Sequence, residues 1–321
     1  MHTRSLPLLT SLLYLSSTVT TVHAAASSKR GIVYVTPASP SDDKIWSQPS
    51  NDLSWYYNYA YTPTAALASA SHLSFVPMLW GAPASPTSAD TSFLDSITSQ
   101  LSSGANITHI LGYNEPDGGS STGGSNLSPD AAANTWLRNI KPLRDEHGIR
   151  VGLPAVTGSP GGIKWLENFN ASCAARNADE GCAADFIPIH WYGNFEGLAS
   201  HMGQVRALYP SLPIWITEYA LSHADLKETQ GFYNTSAEYF DRLNYVDRYS
   251  YFGAFRSSKS NVGANAAFLT QDGKLTDIGS WYLGGGATGN VPKGKAGRRM
   301  EGSILSVLGV VSAVALLLVA Y

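Results

Sequence analysis

Two glutamates stand where short apolar runs end. One run reads Ile110-Leu111-Gly112-Tyr113-Asn114-Glu115-Pro116-Asp117, and the other reads Ile214-Trp215-Ile216-Thr217-Glu218-Tyr219. A buried strand that offers one carboxylate at its C-terminal tip is how barrel enzymes expose catalytic groups. Two such carboxylates are what cleavage of a glycosidic bond needs. One, protonated, gives its proton to the departing oxygen, and the other attacks the anomeric carbon or activates a water. The acid must keep its proton near working pH, through burial or a neighbouring negative charge. Glu115 is assigned as the acid/base and Glu218 as the nucleophile, with Asn114 placed to hydrogen-bond a sugar 2-hydroxyl. Ordinary ion pairing at a strand end would account for either glutamate alone; the two together point to chemistry.

Such a pair needs elements that bring both tips to one rim. Eight short apolar runs are candidate strands: residues 31–35, 53–57, 75–79, 109–113, 151–155, 186–190, 214–218 and 249–255. Longer segments separate them, and three show helical spacing of apolar residues: 92–102, 130–146 after Ser128-Pro129, and 236–247. Alternation of this kind means a parallel α/β sheet. Eight units predict a (β/α)₈ TIM barrel in a single domain, with Glu115 after the fourth strand and Glu218 after the seventh, on one rim. An open doubly wound sheet is the competitor, but no glycine-rich dinucleotide fingerprint follows the first strand. Residues 118–125 are rich in Gly and Ser and read as a loop beside Glu115.

The same rim would carry Trp80, Trp191 and Tyr192. Sugars present C–H faces that stack on aromatic rings, so these are candidate subsites, although core packing explains such residues as well. His190 is placed to hydrogen-bond the nucleophile or the substrate, or to serve as a structural histidine. Tyr113 and Tyr219 flank the carboxylates and could tune them, though burial alone would also explain them. Trp281 is a further stacking candidate, and Asp117 reads as a loop stabiliser. His147, His201 and His223 show no metal-ligand spacing, so no metal and no cofactor are expected.

The segments Phe75-Val76-Pro77-Met78-Leu79-Trp80-Gly81, Leu111 to Asp117, His190-Trp191-Tyr192 and Trp215-Ile216-Thr217-Glu218-Tyr219 resemble glycoside hydrolase family 128, whose fungal members are also called alkali-sensitive-linkage-type proteins. The resemblance runs from residue 30 to about 283. It implies a (β/α)₈ barrel, a retaining mechanism, action on β-1,3-glucan and the roles already given to Glu115 and Glu218. Ser54-Trp55-Tyr56-Tyr57-Asn58-Tyr59 is similar to the family's Trp-x-Tyr-Asn segment, which marks Trp55 and Asn58 as substrate contacts. The chain departs from the family pattern at Tyr59-Ala60, where Trp-Gly is expected.

The termini read as processing signals. Residues 1–24 look like a secretory signal peptide, with Arg4, an apolar stretch and Val22-His23-Ala24 before the cut. At the other end, residues 304–321 form an apolar tail, preceded by a small-residue and polar spacer at 285–303, the pattern of a GPI signal. A permanent span would break the positive-inside rule, because the basic residues precede the tail. The domain between, residues 28–284, has the size of one barrel. The chain of 321 residues carries 21 basic and 24 acidic residues, with no basic stripe to suit nucleic acid. Cys173 and Cys182, its two cysteines, are expected to pair in an oxidising compartment, with free buried thiols as the alternative. Sequons stand at Asn106, Asn126, Asn170 and Asn234. The combined expectation is a monomeric, GPI-anchored, cell-surface endo-β-1,3-glucanase of a fungus-like wall. A non-catalytic glucan-binding wall protein, a transglycosylase using the same carboxylates, and a hydrolase of another β-glycan remain open.

Overall fold

The computed structural model describes residues 27–37, 39–82 and 89–294. The expected signal peptide and apolar tail lie outside the described residues. Among the described residues eight strands occur where eight were expected: β1 (Gly31–Val33), β2 (Trp55–Tyr57), β3 (Ser74–Phe75), β4 (His109–Ile110), β5 (Arg150–Val151), β6 (Ile187–Trp191), β7 (Ile214–Tyr219) and β8 (Val246–Tyr251). Their ladders are parallel and run in chain order as three sheets, β1-β2-β3, β4-β5 and β6-β7-β8. Single parallel bridges link consecutive sheets, Met78 to Leu111 and Gly152 to Phe186, and a third links Arg30 to Tyr249. The architecture is therefore α/β with parallel sheets, and its continuous ladders stop short of a closed ring. Side chains interrupt the ladders locally. A Cβ on Gly152 would lie 2.5 Å from the Phe186 ring, so only glycine lets that ring cross between β5 and β6.

Where β8 meets β1, side chains supplement the single backbone bridge. The Tyr282 hydroxyl donates to the Gly31 carbonyl at 2.7 Å and accepts from the Tyr251 amide at 3.2 Å. Arg30, fully buried, donates to the Tyr249 hydroxyl at 2.9 Å and pairs with Asp52 at 2.9 Å. A buried charge persists only when paired in this way.

The strands alternate between two cores, as a pleated strand must. Ile32, Tyr56, Ile110, Ile189 and Ile216 pack against the helices, while Val33, Trp55, Tyr57, Met78, Leu111, Phe186 and Trp215 form a second, separate cluster on the opposite face. Phe186 stacks on Trp215 with centroids 4.0 Å apart. Cutting Trp215 to Ala would cost about 3–5 kcal/mol.

After the short helix α1 (Asp43–Trp46), helix α2 (Ser92–Ser102) matches its sequence pattern. The segment expected as one helix over 130–146 is two, α3 (Pro129–Asn139) and α4 (Lys141–His147), because Pro142 lacks an amide and its ring crowds the carbonyl four residues back. The helix expected over 236–247 runs Leu226–Arg242 instead, as α7. Asp225 caps it by accepting the Glu228 amide, its buried face is Phe232, Tyr233, Ala237 and Phe240, and Val246 belongs to β8. Helices α5 (Pro160–Arg176) and α6 (Phe195–Leu208) start at Ser159 and Asn194, whose side chains accept amides of the first turn.

Cys173 and Cys182 are disulfide-bonded with Cα atoms 5.3 Å apart. All four sequon asparagines are exposed. Among the described residues no helix is long and apolar enough to cross a membrane.

Candidate active site

Glu218 reaches its place through a break in strand alternation. Trp215 faces the inner cluster and Ile216 faces the helices. The pairing with β6 then slips: Ile189 stands opposite Ile216, but His190 stands opposite Glu218, leaving Thr217 as an extra residue. This bulge turns Glu218 toward the site and returns Tyr219 to the helix side, among Phe232, Phe240 and Tyr251. Bulges re-aim side chains next to active sites in this way.

Glu115 reaches the site by a different route. Asn114 already lines the cleft, so strict alternation would send Glu115 away from it. Glu115 instead has φ of 39°, a left-handed conformation that a non-glycine residue adopts only when its surroundings enforce it. Its amide donates to the Ala155 carbonyl at 2.7 Å, and its carbonyl accepts the Gly118 amide at 2.8 Å. Asp117 fixes the next turn by accepting the Thr157 amide at 2.9 Å and the Thr157 hydroxyl at 2.5 Å.

The two carboxylates meet in a cleft of about 790 Å³, walled by Trp80, Asn114, Trp191, Tyr192 and Phe252. His190, completely buried, lies between them. Its Nδ1 is 2.9 Å from Glu115 Oε1, and its Nε2 is 3.6 Å from Glu218 Oε1. One donor atom from each of Glu115, His190 and Glu218 lies within 4.8 Å of the others. Among the described residues this trio is the group that could converge on a metal ion. Burial opposes a charged imidazole, but the charge of Glu218, the hydrogen bond to Glu115 and the charge of Glu115 outweigh it. His190 therefore titrates above its ordinary 6.5.

Glu218 is further ringed by phenols. Its Oε1 accepts from Tyr59 at 2.7 Å and from Tyr57 at 3.2 Å, and its Oε2 accepts from Tyr192 at 2.5 Å. Burial, then the negative charge of Glu218, pushes all three phenols well above their ordinary range, so they remain donors. Asn114 Nδ2 donates to the Gly123 carbonyl at 3.1 Å, while its Oδ1 is buried without a partner among the described residues. That acceptor is free for a hydroxyl of a bound molecule.

Trp191 is built in as a rigid plate. Its Nε1 donates to the Asn194 carbonyl at 3.0 Å, and its ring stacks on His201 at 5.5 Å. A Cβ on Gly158 or Gly197 would lie 2.6 or 2.3 Å from the indole, so both positions must stay bare. Trp80 is 38% exposed at the other side of the cleft.

Of the residues singled out in the sequence, Glu115, Glu218, Asn114, Trp80, Trp191 and Tyr192 line the cleft, with His190 beneath. Four others lie elsewhere. Trp55 is buried against Tyr57 and Trp215, its Nε1 donating to the Lys29 carbonyl. Tyr113 points to the helices and donates to the Ala132 carbonyl, and Tyr219 sits among helix-side aromatics. Asn58 holds its own turn by donating to the Thr62 carbonyl and accepting the Ala60 amide. Trp55 shares the inner face with Tyr57 but lies one pleat earlier, outside the cleft lining, whereas Tyr113 and Tyr219 are turned to the helix side and Asn58 is held by its own turn. Tyr57 and Tyr59 were missed, yet period-two spacing from Trp55 puts all three on one face of the chain. Loop residues such as Thr122, Gly158, Asn261 and Val262 also line the cleft, and no local pattern marks them.

A family model described as glycosyl hydrolase catalytic core matches residues 31–282. Alkali-sensitive linkage protein 1 of Schizosaccharomyces pombe is 29% identical over 270 residues. That match takes in 81% of this chain and 45% of the other, so the chain spans about half the length of the curated relative it matches. Among solved structures, a GH128 subgroup II endo-β-1,3-glucanase from Pseudomonas viridiflava is 25% identical with a TM-score of 0.65, over 82% of this chain and 99% of that one. A subgroup I endo-β-1,3-glucanase from Amycolatopsis mediterranei, in complex with laminaritriose, is 28% identical with a TM-score of 0.56, over 80% and 98%. A subgroup VI exo-β-1,3-glucanase from Aureobasidium namibiae, 22% identical with a TM-score of 0.63 over 79% and 96%, shares the fold.

Proposed function

Since the chain belongs to the glycosyl hydrolase catalytic core family, in keeping with the resemblance of its motifs to glycoside hydrolase family 128, we propose that it is a retaining endo-β-1,3-glucanase. The observation that carries this reading is the convergence of Glu115, His190 and Glu218 donors within 4.8 Å of one another in an open cleft. Carboxyl groups about 5–5.5 Å apart suit attack by one of them, whereas about 6.5–9.5 Å is needed to admit a water between. The same reading takes the eight consecutive strands as a (β/α)₈ barrel whose seams are the single bridges.

In the first step Glu218 attacks the anomeric carbon while Glu115 gives its proton to the departing oxygen. A glycosyl ester forms and the shortened glucan leaves. In the second step Glu115 takes a proton from water as the water's oxygen bonds to the anomeric carbon, and the Glu218 carboxylate departs. Esterification removes the Glu218 charge, the main influence holding the His190 proton. The Glu115 carboxylate and the charge of Asp117 then remain to hold the proton, and the His190 Nδ1–H can support the carboxylate form of Glu115 that acts as base. Trp80 and Trp191 offer stacking faces for glucose rings, and Asn114 Oδ1 an acceptor for a sugar hydroxyl.

The reading extends to a GPI-anchored cell-surface monomer exported by its signal peptide. A disulfide and four exposed sequons are in keeping with export. Incubation of the purified protein with laminarin-type glucan tests the activity. Internal oligosaccharides with β-configuration at the first-formed reducing end are expected. Glucose alone would refute endo action, α-configured product would refute retention, and intact polymer would refute hydrolysis. Release of the protein from cells by a phosphatidylinositol-specific phospholipase tests the anchor.

A further inference from the structure

Tyr59 combines two features that share no local cause. Its φ is 61°, a left-handed conformation that a bulky L-residue avoids, and its hydroxyl lies 2.7 Å from Glu218 Oε1. The turn that imposes this conformation is bonded on both sides. Asn58 accepts the Ala60 amide at 3.2 Å and donates to the Thr62 carbonyl at 3.0 Å, and the Ala60 carbonyl accepts the Met78 amide at 3.0 Å. The Tyr59 ring meets Tyr57 edge-on with centroids 5.2 Å apart, which directs both hydroxyls to one oxygen. Glu218 Oε1 thus faces two phenols: Tyr59, which donates at 2.7 Å, and Tyr57, whose one proton is shared between Oε1 at 3.2 Å and the Thr217 carbonyl at 3.1 Å; among the described residues Oε2 has Tyr192 as its donor.

We propose that Tyr59 is a positioning residue that reserves Glu218 Oε1 as the non-attacking oxygen and favours return of charge to Glu218 when the glycosyl ester breaks. The proposal rests on Glu218 being the nucleophile. Oε2 forms the bond to the anomeric carbon, and Oε1 becomes the ester carbonyl, still held by Tyr57 and Tyr59. In the second step the bond between the anomeric carbon and Oε2 breaks and its electron pair goes to the Glu218 carboxylate. The water oxygen bonds to the carbon and the water proton goes to Glu115. Donors on Oε1 favour the carboxylate over the ester, so they speed the second step and restrain the first.

The test uses the purified chain and an activated aryl β-glycoside of laminaribiose. A 2-deoxy-2-fluoro analogue of it first marks the nucleophile, read by peptide mass. Label on another residue removes the premise, and the proposal with it. With label on Glu218, Tyr59→Phe is expected to lower kcat about tenfold. KM should fall in step, kcat/KM should stay level or rise, and a burst of aryl alcohol near one equivalent should appear. An unchanged kcat, or a kcat/KM that falls as far as kcat, overturns the proposal. Tyr59→Gly, which suits a left-handed φ and therefore keeps the turn, must show the same split. If it does not, the proposal fails even where Tyr59→Phe is poorly folded.

Discussion

Glu115 and Glu218 begin as similar residues in similar sequence contexts, and their surroundings make them different. Glu218 sits after a bulge in a strand buried on both faces, with its two oxygens held by three phenols. Glu115 sits on a left-handed turn after a two-residue strand, its side chain more than twice as exposed, 14% against 6%, with His190 as its side-chain partner. Three phenols fix the orientation of the Glu218 carboxylate, which suits the attack proposed for it. Glu115, with fewer donors and more access to solvent, suits the proton exchange proposed for it. On the proposed reading the roles are thus written in the partners rather than in the glutamates.

The largest effect should come from exchanging each glutamate for alanine and supplying azide. Glu218→Ala is expected to lose on the order of 10⁵-fold in kcat. Azide should then occupy the vacated face and give the α-glycosyl azide. Glu115→Ala should lose about 10²–10⁴-fold on natural glucan and much less on a substrate with an activated leaving group, which needs no proton. Azide acts there after the covalent intermediate has formed, so the β-azide is expected. Identical anomers from the two variants would erase the distinction between the sites.

Next in size is His190→Gln, which removes the group shared by both carboxylates. A hydrogen bond between charged groups is worth about 1.5–3 kcal/mol, so a loss of roughly 10–100-fold in kcat is expected. The stability change carries a sign. The folded state raises the His190 pKa above its ordinary value, so it binds the proton more tightly than the unfolded chain does. The contribution is complete below about pH 6.5 and is lost as pH rises through the folded value. Melting temperature of the wild type should therefore decline across that range, while that of His190→Gln stays level. Parallel curves would mean that His190 is not charged between the carboxylates.

Much of this site is legible in the chain before any folding. Apolar runs ending in glutamate gave the two carboxylates, and the eight runs correspond to eight strands, because burial on both faces leaves unbroken apolar segments. Three things are hidden. Alternation read from Trp215 would send Glu218 to the helix side, and only the slip at Thr217, set by pairing with β6, reverses that. Helix α7 starts earlier than its aromatic spacing predicts, because its cap, Asp225, lies well before those aromatic residues. The cleft loops carry no period and are placed by contacts distant in sequence, such as the His223 amide on the Val262 carbonyl at 2.9 Å.

The smallest predicted effect is also the most selective for one side of the comparison. Asp117 touches neither glutamate's carboxyl group. It accepts the Thr157 amide and hydroxyl, and so ties the turn that follows Glu115 to the loop after β5. Asp117→Ala removes that tie while leaving the phenols around Glu218 in place. A net loss of about 1–2 kcal/mol for the two hydrogen bonds implies a roughly 5–30-fold fall in kcat/KM on natural glucan. That step depends on where Glu115 presents its proton. Inactivation by a 2-deoxy-2-fluoro glycoside with an activated leaving group reports attack by Glu218 and needs no acid, so its rate should be unchanged. Equal losses in the two measurements would mean that the turn supports the whole cleft, and that the two glutamates are not held independently.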